Sequence, residues 1–119
     1  KSPKKEKQNE IEEAQRLRYA VFYDEYGAIP DEDTKKEKRD FDQFDDITDH
    51  LVVIDSDLPK GPQQIIGTYR LLRQSVAEKF GKFYTSDEYN IQPLLDNEPN
   101  LLELGRSCVL PDYRSRPIL

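Results

Sequence analysis

Three arginines stand in segments that otherwise read as core. Arg18 falls in the middle of an apolar helical arc, between Ala14 and Phe22. Arg70 shares a strand face with Ile66 and Leu72, and Arg106 shares one with Leu102, Leu104 and Cys108 under plain alternation. A guanidinium in such a place must snorkel outward or find a carboxylate, because an unpaired buried charge is costly. The carboxylates on offer are Asp40, Asp42 and Asp45, in one acidic stretch, and Glu103, three residues before Arg106. One such arginine would mean little; three of them predict a built ionic site. For Arg18, a pair with Glu25 along the same helical stripe is the simpler alternative.

The elements that carry these residues follow from periodicity. Ile11, Ala14, Leu17, Val21 and Phe22 recur at helical spacing. They predict a helix from about Asn9, an N-cap with Glu12 three residues later, to Tyr26, where Gly27 can stop it. Residues 1–8 are basic and aperiodic and read as a flexible terminus ahead of one domain over residues 9–119. Residues 51–55 (LVVID) and 65–73 (IIGTYRLLR) predict two antiparallel strands around a Pro- and Gly-bearing turn. Gly67 inside the second strand marks a bulge or a close backbone approach. Residues 75–80 predict a short helix ended by Gly81, and 82–100 are irregular apart from a helical turn at 86–89. Residues 101–110 (LLELGRSCVL) predict a third strand. There Glu103 faces away from Arg106, unless a bulge at Gly105 brings both toward one side. The fold class is α/β of the α+β kind, with a largely antiparallel sheet flanked by helices.

Composition narrows the function. In 119 residues, 35% are hydrophobic and 35% charged, so the core is confined to a few segments. One Cys and one His exclude a disulfide framework and an ordinary structural zinc site. No apolar stretch approaches the roughly 20 residues of a membrane helix. The net charge of −6 argues against a nucleic-acid binder, which needs a basic face. Nearly all of that charge is local: nine acids and four bases fall between Asp31 and Asp49. The first half of this run, to about Arg39, reads as a solvated loop, whereas Phe41 and Phe44 imply that the second half docks on something. Asp40-x-Asp42-x-x-Asp45 resembles a calcium loop but lacks its Asp/Asn-Gly pattern, and no metal is assigned. Cys108 reads as a core residue and His50 as structural.

Five segments carry a family resemblance: AQRLRYAVFYDEYGA (14–28), RDFDQFDDITDHLVVID (39–55), IIGTYRLLR (65–73), FYTSDEYNIQPLL (83–95) and LLELGRSCVLPDYR (101–114). In order and with short gaps, about 100 of the 119 residues resemble the amino-terminal half of the ornithine N-acyltransferases of ornithine-lipid synthesis. Some members of that group are labelled hemolysin-like. It is related to the acyl-homoserine-lactone synthases within the GNAT acyltransferase superfamily. The autoinducer-synthase pattern matches Arg18 and Phe22 on the first helix, and Asp40, Asp42 and Asp45 in the acidic cluster, although Glu is usual at the first of these. It also matches Arg70, and the Glu-x-x-Arg pair Glu103 and Arg106. The resemblance thus implies catalytic roles for Glu103, Arg106 and Arg70. It implies acceptor binding by Arg18, Phe22, Asp40, Asp42 and Asp45.

The implied reaction moves a 3-hydroxylated fatty acyl group from an acyl-carrier-protein thioester to the α-amine of ornithine. Glu103 is the expected general base, with an orienting bridge to Arg106 or Arg70 as its alternative role. Backbone N–H groups around Ser107, Cys108 and Val109 are the expected oxyanion donors. The superfamily's phosphate-binding turn aligns with residues 114–119, where Pro117 stands in place of glycine. The chain is expected to stop before the acyl-donor helix. That departure disfavours acyl-coenzyme A and suits a carrier protein, for which Arg114 and Arg116 are the expected contacts. No tightly bound cofactor is implied. By the same analogy the protein is cytoplasmic and peripheral to the inner membrane. Two alternatives stay open. One is a related N-acyl-amino-acid or acyl-homoserine-lactone synthase, the latter disfavoured because Leu71-Leu72-Arg73 lacks that family's Pro-Thr continuation. The other is a non-catalytic fragment that only docks an acyl carrier protein.

Overall fold

The structure is a computed structural model that describes residues 3–87, 89–97 and 100–115. Helix α1 (Pro3–Tyr19) passes directly into a π-helical segment, Ala20–Glu25, and the chain then turns at Gly27, whose φ of +76° suits glycine. The predicted end holds, but the predicted start does not. Asn9 lies inside α1 and caps nothing, because Pro3 opens the helix and the Lys, Glu and Gln that follow are good helix formers.

The stretch expected as a solvated loop contains helix α2 (Glu32–Glu37). Asp31 caps it by accepting the Thr34 amide at 2.8 Å, which holds the Asp31 carboxyl below its ordinary range. Acids in its first turn and lysines in its last complement the helix dipole. Three strands follow: β1 (Asp49–Ile54), β2 (Ile65–Arg73) and β3 (Leu102–Val109). They form one antiparallel sheet in the order β1-β2-β3, as the sequence implied for the first pair. Between β2 and β3 the chain makes helix α3 (Gln74–Phe80), a 3-10 turn at Tyr84–Asp87 and helix α4 (Gln92–Asn97). Among the described residues no helix is long and apolar enough to cross a membrane.

One face of the sheet is covered. Leu17 and Val21, from the first helix, pack with Ile65 and Cys108 in one cluster, and Phe44, Leu72, Ala77 and Phe83 form a second. Phe44 thereby anchors the second half of the acidic run, as its sequence implied. Gly67 approaches β3 closely: a Cβ there would meet the Cys108 carbonyl and a Val109 methyl at 3.4 Å.

The pairing of β2 with β3 slips by one residue. Thr68 faces Cys108 and Arg70 faces Gly105, so two β2 steps oppose three on β3. The bulge inverts the alternation beyond it. Cys108 therefore sits on the face of Glu103 and Arg70, not with Leu102 and Leu104 as plain alternation implied. Leu102 and Leu104 point outward and are 52% and 66% exposed. The left-handed residue of this bulge is Arg106, at φ +52°, and not Gly105.

Truncating the first cluster tests this packing. Leu17→Ala is expected to cost about 2–5 kcal/mol, measured by urea unfolding; a loss under 1 kcal/mol would place Leu17 outside the core.

A candidate active site on an ionic network

Arg18 is the centre of the network. Its side chain is wholly buried. Nε donates to Asp40 Oδ2 at 2.9 Å, and Nη2 donates to the Asp40 carbonyl and to Asp45 Oδ1, both at 2.8 Å. The alternative partner, Glu25, pairs elsewhere. It accepts two bonds from Arg114, at 2.5 and 2.6 Å, which hold its carboxyl below the ordinary range.

The second arginine joins from the sheet. Arg70 Nη1 donates to Asp42 Oδ1 at 2.6 Å and to Asp45 Oδ1 at 3.2 Å. Burial opposes its charge, yet the bonds and attraction of Asp42 and Asp45 outweigh that and raise its pKa above the ordinary value. Phe44 and Tyr84 flank its guanidinium, each ring centroid at 5.9 Å. Asp45 Oδ2 accepts the Asp42 amide at 3.0 Å and the Gln15 side chain at 3.3 Å, so both its oxygens are occupied. His50 has the structural role assigned to it, with Nε2 2.9 Å from the Asp45 carbonyl. Arg106 is placed differently. Its Nε lies 3.7 Å from Asp40 Oδ2, beyond hydrogen-bond reach, and its guanidinium stacks over Phe22 at 5.4 Å.

Beside the network opens a cavity of about 360 Å³. Phe22, Phe44 and Tyr84 supply aromatic walls, Arg70 and Arg106 two guanidiniums, and Glu103 a carboxylate, with Ser107, Thr48 and Thr85 among the other lining residues. Arg18, Asp40, Asp42 and Asp45 are not in its lining. Each of them is engaged by a protein partner, and through Arg70 and Arg106 they support the charged part of the wall. Of the carboxylates expected at the site, Glu103 is the one in the wall.

Glu103 bridges neither Arg106 nor Arg70. Its Oε1 accepts the Tyr84 amide at 2.9 Å, and its Oε2 accepts the Thr85 amide at 2.7 Å and the Thr85 hydroxyl. The first turn of the 3-10 helix thus grips the carboxylate and leaves one of its four lone-pair positions free, on Oε1. Tyr84, Thr85 and Gln15 were not foreseen. Gln15 alone left a sequence signal, as a polar residue one turn before Arg18 on the buried side of the helix.

The expected donor contacts are dispersed. Of the three expected backbone donors, Ser107 lines the cavity, whereas Cys108 and Val109 stand opposite Thr68 and Gly67 of β2; the Cys108 side chain is in the core, where burial pushes its thiol up to about 11. Arg114 stacks on Tyr26 and pairs with Glu25, with about a third of its side chain exposed. Arg116 and Pro117 lie outside the described residues.

Two expectations follow from the network. Asp45→Ala leaves Arg18 and Arg70 short of charge compensation and is expected to cost about 3–5 kcal/mol in chemical denaturation; a loss below 1 kcal/mol would mean the pairs do not hold the loop. Tyr23 donates its hydroxyl to Asp40 Oδ1 at 2.9 Å, and burial with that bond raises its pKa from 10.0 to about 12. The folded state keeps this proton to a higher pH than the unfolded chain, so its stabilisation is full below pH 10 and lost as pH rises towards about 12. Ultraviolet titration of wild type against Tyr23→Phe should show one late-ionising tyrosine missing from the variant.

Comparison with known proteins places the chain among named relatives. The chain is 53% identical over 109 residues to an L-ornithine N(alpha)-acyltransferase of Brucella abortus, covering 89% of this chain and 39% of the relative. It is 48% identical over 110 residues to the protein of the same name from Rhizobium meliloti, covering 90% and 37%. A third, from Rhodobacter capsulatus, is 44% identical over 106 residues, covering 88% and 41%. The chain therefore spans about two fifths of the length of these relatives. No solved structure matches it. Residues 17–119 match the Acetyltransferase (GNAT) domain, and with most of its length in that match the chain belongs to the GNAT acyltransferase family.

Proposed function

We propose that the whole protein transfers a fatty acyl group from an acyl-carrier-protein thioester to the α-amine of ornithine, the opening step of ornithine-lipid synthesis. The acceptor reading is supported by the cavity wall, where two guanidiniums and one carboxylate stand among three aromatic rings. Arg70 is neutralised by Asp42 and Asp45, which leaves Arg106 and Glu103 as one cation and one anion, the pair that the α-carboxylate and α-ammonium of an amino acid need. The names of the relatives point to the same acceptor. The carrier-protein donor rests on the family resemblance alone.

A thioester is already activated, so the site's task is to deliver a neutral amine and hold the oxyanion. Glu103, gripped through Tyr84 and Thr85, keeps an acceptor position on Oε1 and takes the ammonium proton. The amine nitrogen then bonds to the thioester carbon. The oxyanion is met by backbone N–H groups of the 106–107 bulge, which the sheet register leaves without partner residues. Collapse breaks the C–S bond, and the departing thiolate takes up the proton that the nitrogen releases.

In the whole protein, Glu103→Gln is expected to lower kcat for ornithine by roughly 100- to 1000-fold, read in a steady-state assay of N-acylornithine formation. Wild-type turnover in that variant removes Glu103 as the base. An enzyme that accepts only acyl-coenzyme A, or only another amine, moves the assignment to a neighbouring N-acyl-amino-acid synthase.

A further inference from the structure

Arg106 is the member of the ionic site whose backbone is left-handed. Its φ of +52° is a left-handed position that an arginine adopts only at a cost, while Gly105, which could take it freely, stands beside it without a positive φ. Strain of this kind persists where function demands the side chain's direction. Here the bulge turns Arg106 onto the face of Glu103 and into the cavity wall.

The guanidinium delivered there is unspent. Arg18 and Arg70 each give hydrogen bonds to two aspartates. Arg106 gives none among the described residues, and its buried Nε has no hydrogen-bond partner. Asp40, at 3.7 Å, balances its charge without consuming a donor, and Phe22 holds the guanidinium plane from the other side. The side chain is 28% exposed, open enough to receive a ligand. A planar fork of free N–H donors is the standard partner of a carboxylate.

We propose that Arg106 is the acceptor's carboxylate clamp: its guanidinium binds the α-carboxylate of the amino acid and thereby selects the α-amine for acylation. This deepens the ornithine reading and rests on it. In ornithine the α-nitrogen is one carbon from the carboxylate, whereas the δ-nitrogen lies three methylenes further on. A carboxylate held at Arg106 brings the α-amine to the wall that carries Glu103 and sends the δ-amine away from it. Arg106 is then a specificity residue and Glu103 a proton acceptor.

The test compares L-ornithine with L-ornithinamide, which keeps both amines but has no carboxylate. It uses the whole protein as wild type, Arg106→Gly and Arg106→Lys. Glycine suits the φ at this position, so the first variant removes the side chain without adding backbone strain. Wild type is expected to favour ornithine by roughly 100-fold in kcat/KM, expressed mainly in KM. In Arg106→Gly that ratio should fall to within a few-fold of one, and Arg106→Lys should keep part of it. The proportion of Nα to Nδ product from ornithine should fall alongside. Calorimetric binding of the two ligands gives the same ratio if turnover of a variant is too slow to follow. A glycine variant that retains the wild-type ratio overturns the clamp, as does a wild type that takes both acceptors equally; in either case the ornithine reading stands. A wild type that acylates no amino acid overturns both.

Discussion

The buried guanidinium of Arg18 is the constraint around which the rest is arranged. It comes from the middle of an apolar helix face, and no water reaches it. Such a charge is tolerable only with carboxylates fixed against it. Those carboxylates lie more than twenty residues away, so satisfying Arg18 means folding the acidic run back onto the first helix. The Asp40 amide bonds to the Gln15 carbonyl at 2.9 Å, and Phe44 enters the core beside Leu72. Because Asp45 is shared with Arg70, closing the loop on the helix also ties it to the sheet. A single electrostatic requirement thus brings together helix, loop and central strand.

The same arrangement separates structure from chemistry. The three aspartates are engaged by arginines, a tyrosine, backbone amides and Gln15, and they stand behind the cavity. What lines the cavity is what they position: Arg70 and Arg106, with Phe22 beside them. Glu103 is held by a different device, the amides and hydroxyl at the start of a short 3-10 turn. The base candidate and the guanidinium layer are thus held by different kinds of bond, amides for one and carboxylates for the other, and meet at Tyr84, whose ring flanks Arg70. This suits a site in which one group must exchange protons while the others stay charged.

Local pattern made several elements legible for clear reasons. Strand β2 is a nine-residue run of β-formers between turn residues, and its boundaries match the expectation. Gly27 and Gly81 end helices where expected, both at positive φ. Helix α2 is invisible to charge composition and visible only in charge order: Asp31 as cap, acids first and lysines last is a helix signature inside an apparent solvated run. The start of α1 was placed late for a related reason. Polar residues extend a helix without contributing to its apolar stripe.

By itself the sequence determined the ingredients of the site. Arginines in three apolar segments demanded carboxylates, and four were available. It also determined the order of the first helix, the three strands and α3, and the family, since these reside in local residue types and spacing. Which carboxylate meets which guanidinium was decided only by tertiary structure. Glu25 is as suitable a partner for Arg18 as Asp40 by charge and helical stripe, and the choice depends on where the loop and the tail come to lie. The bulge in β3 is the sharpest case. Whether Glu103 and Arg106 share a face turns on one residue of register with β2, and register belongs to a pair of strands, not to either alone.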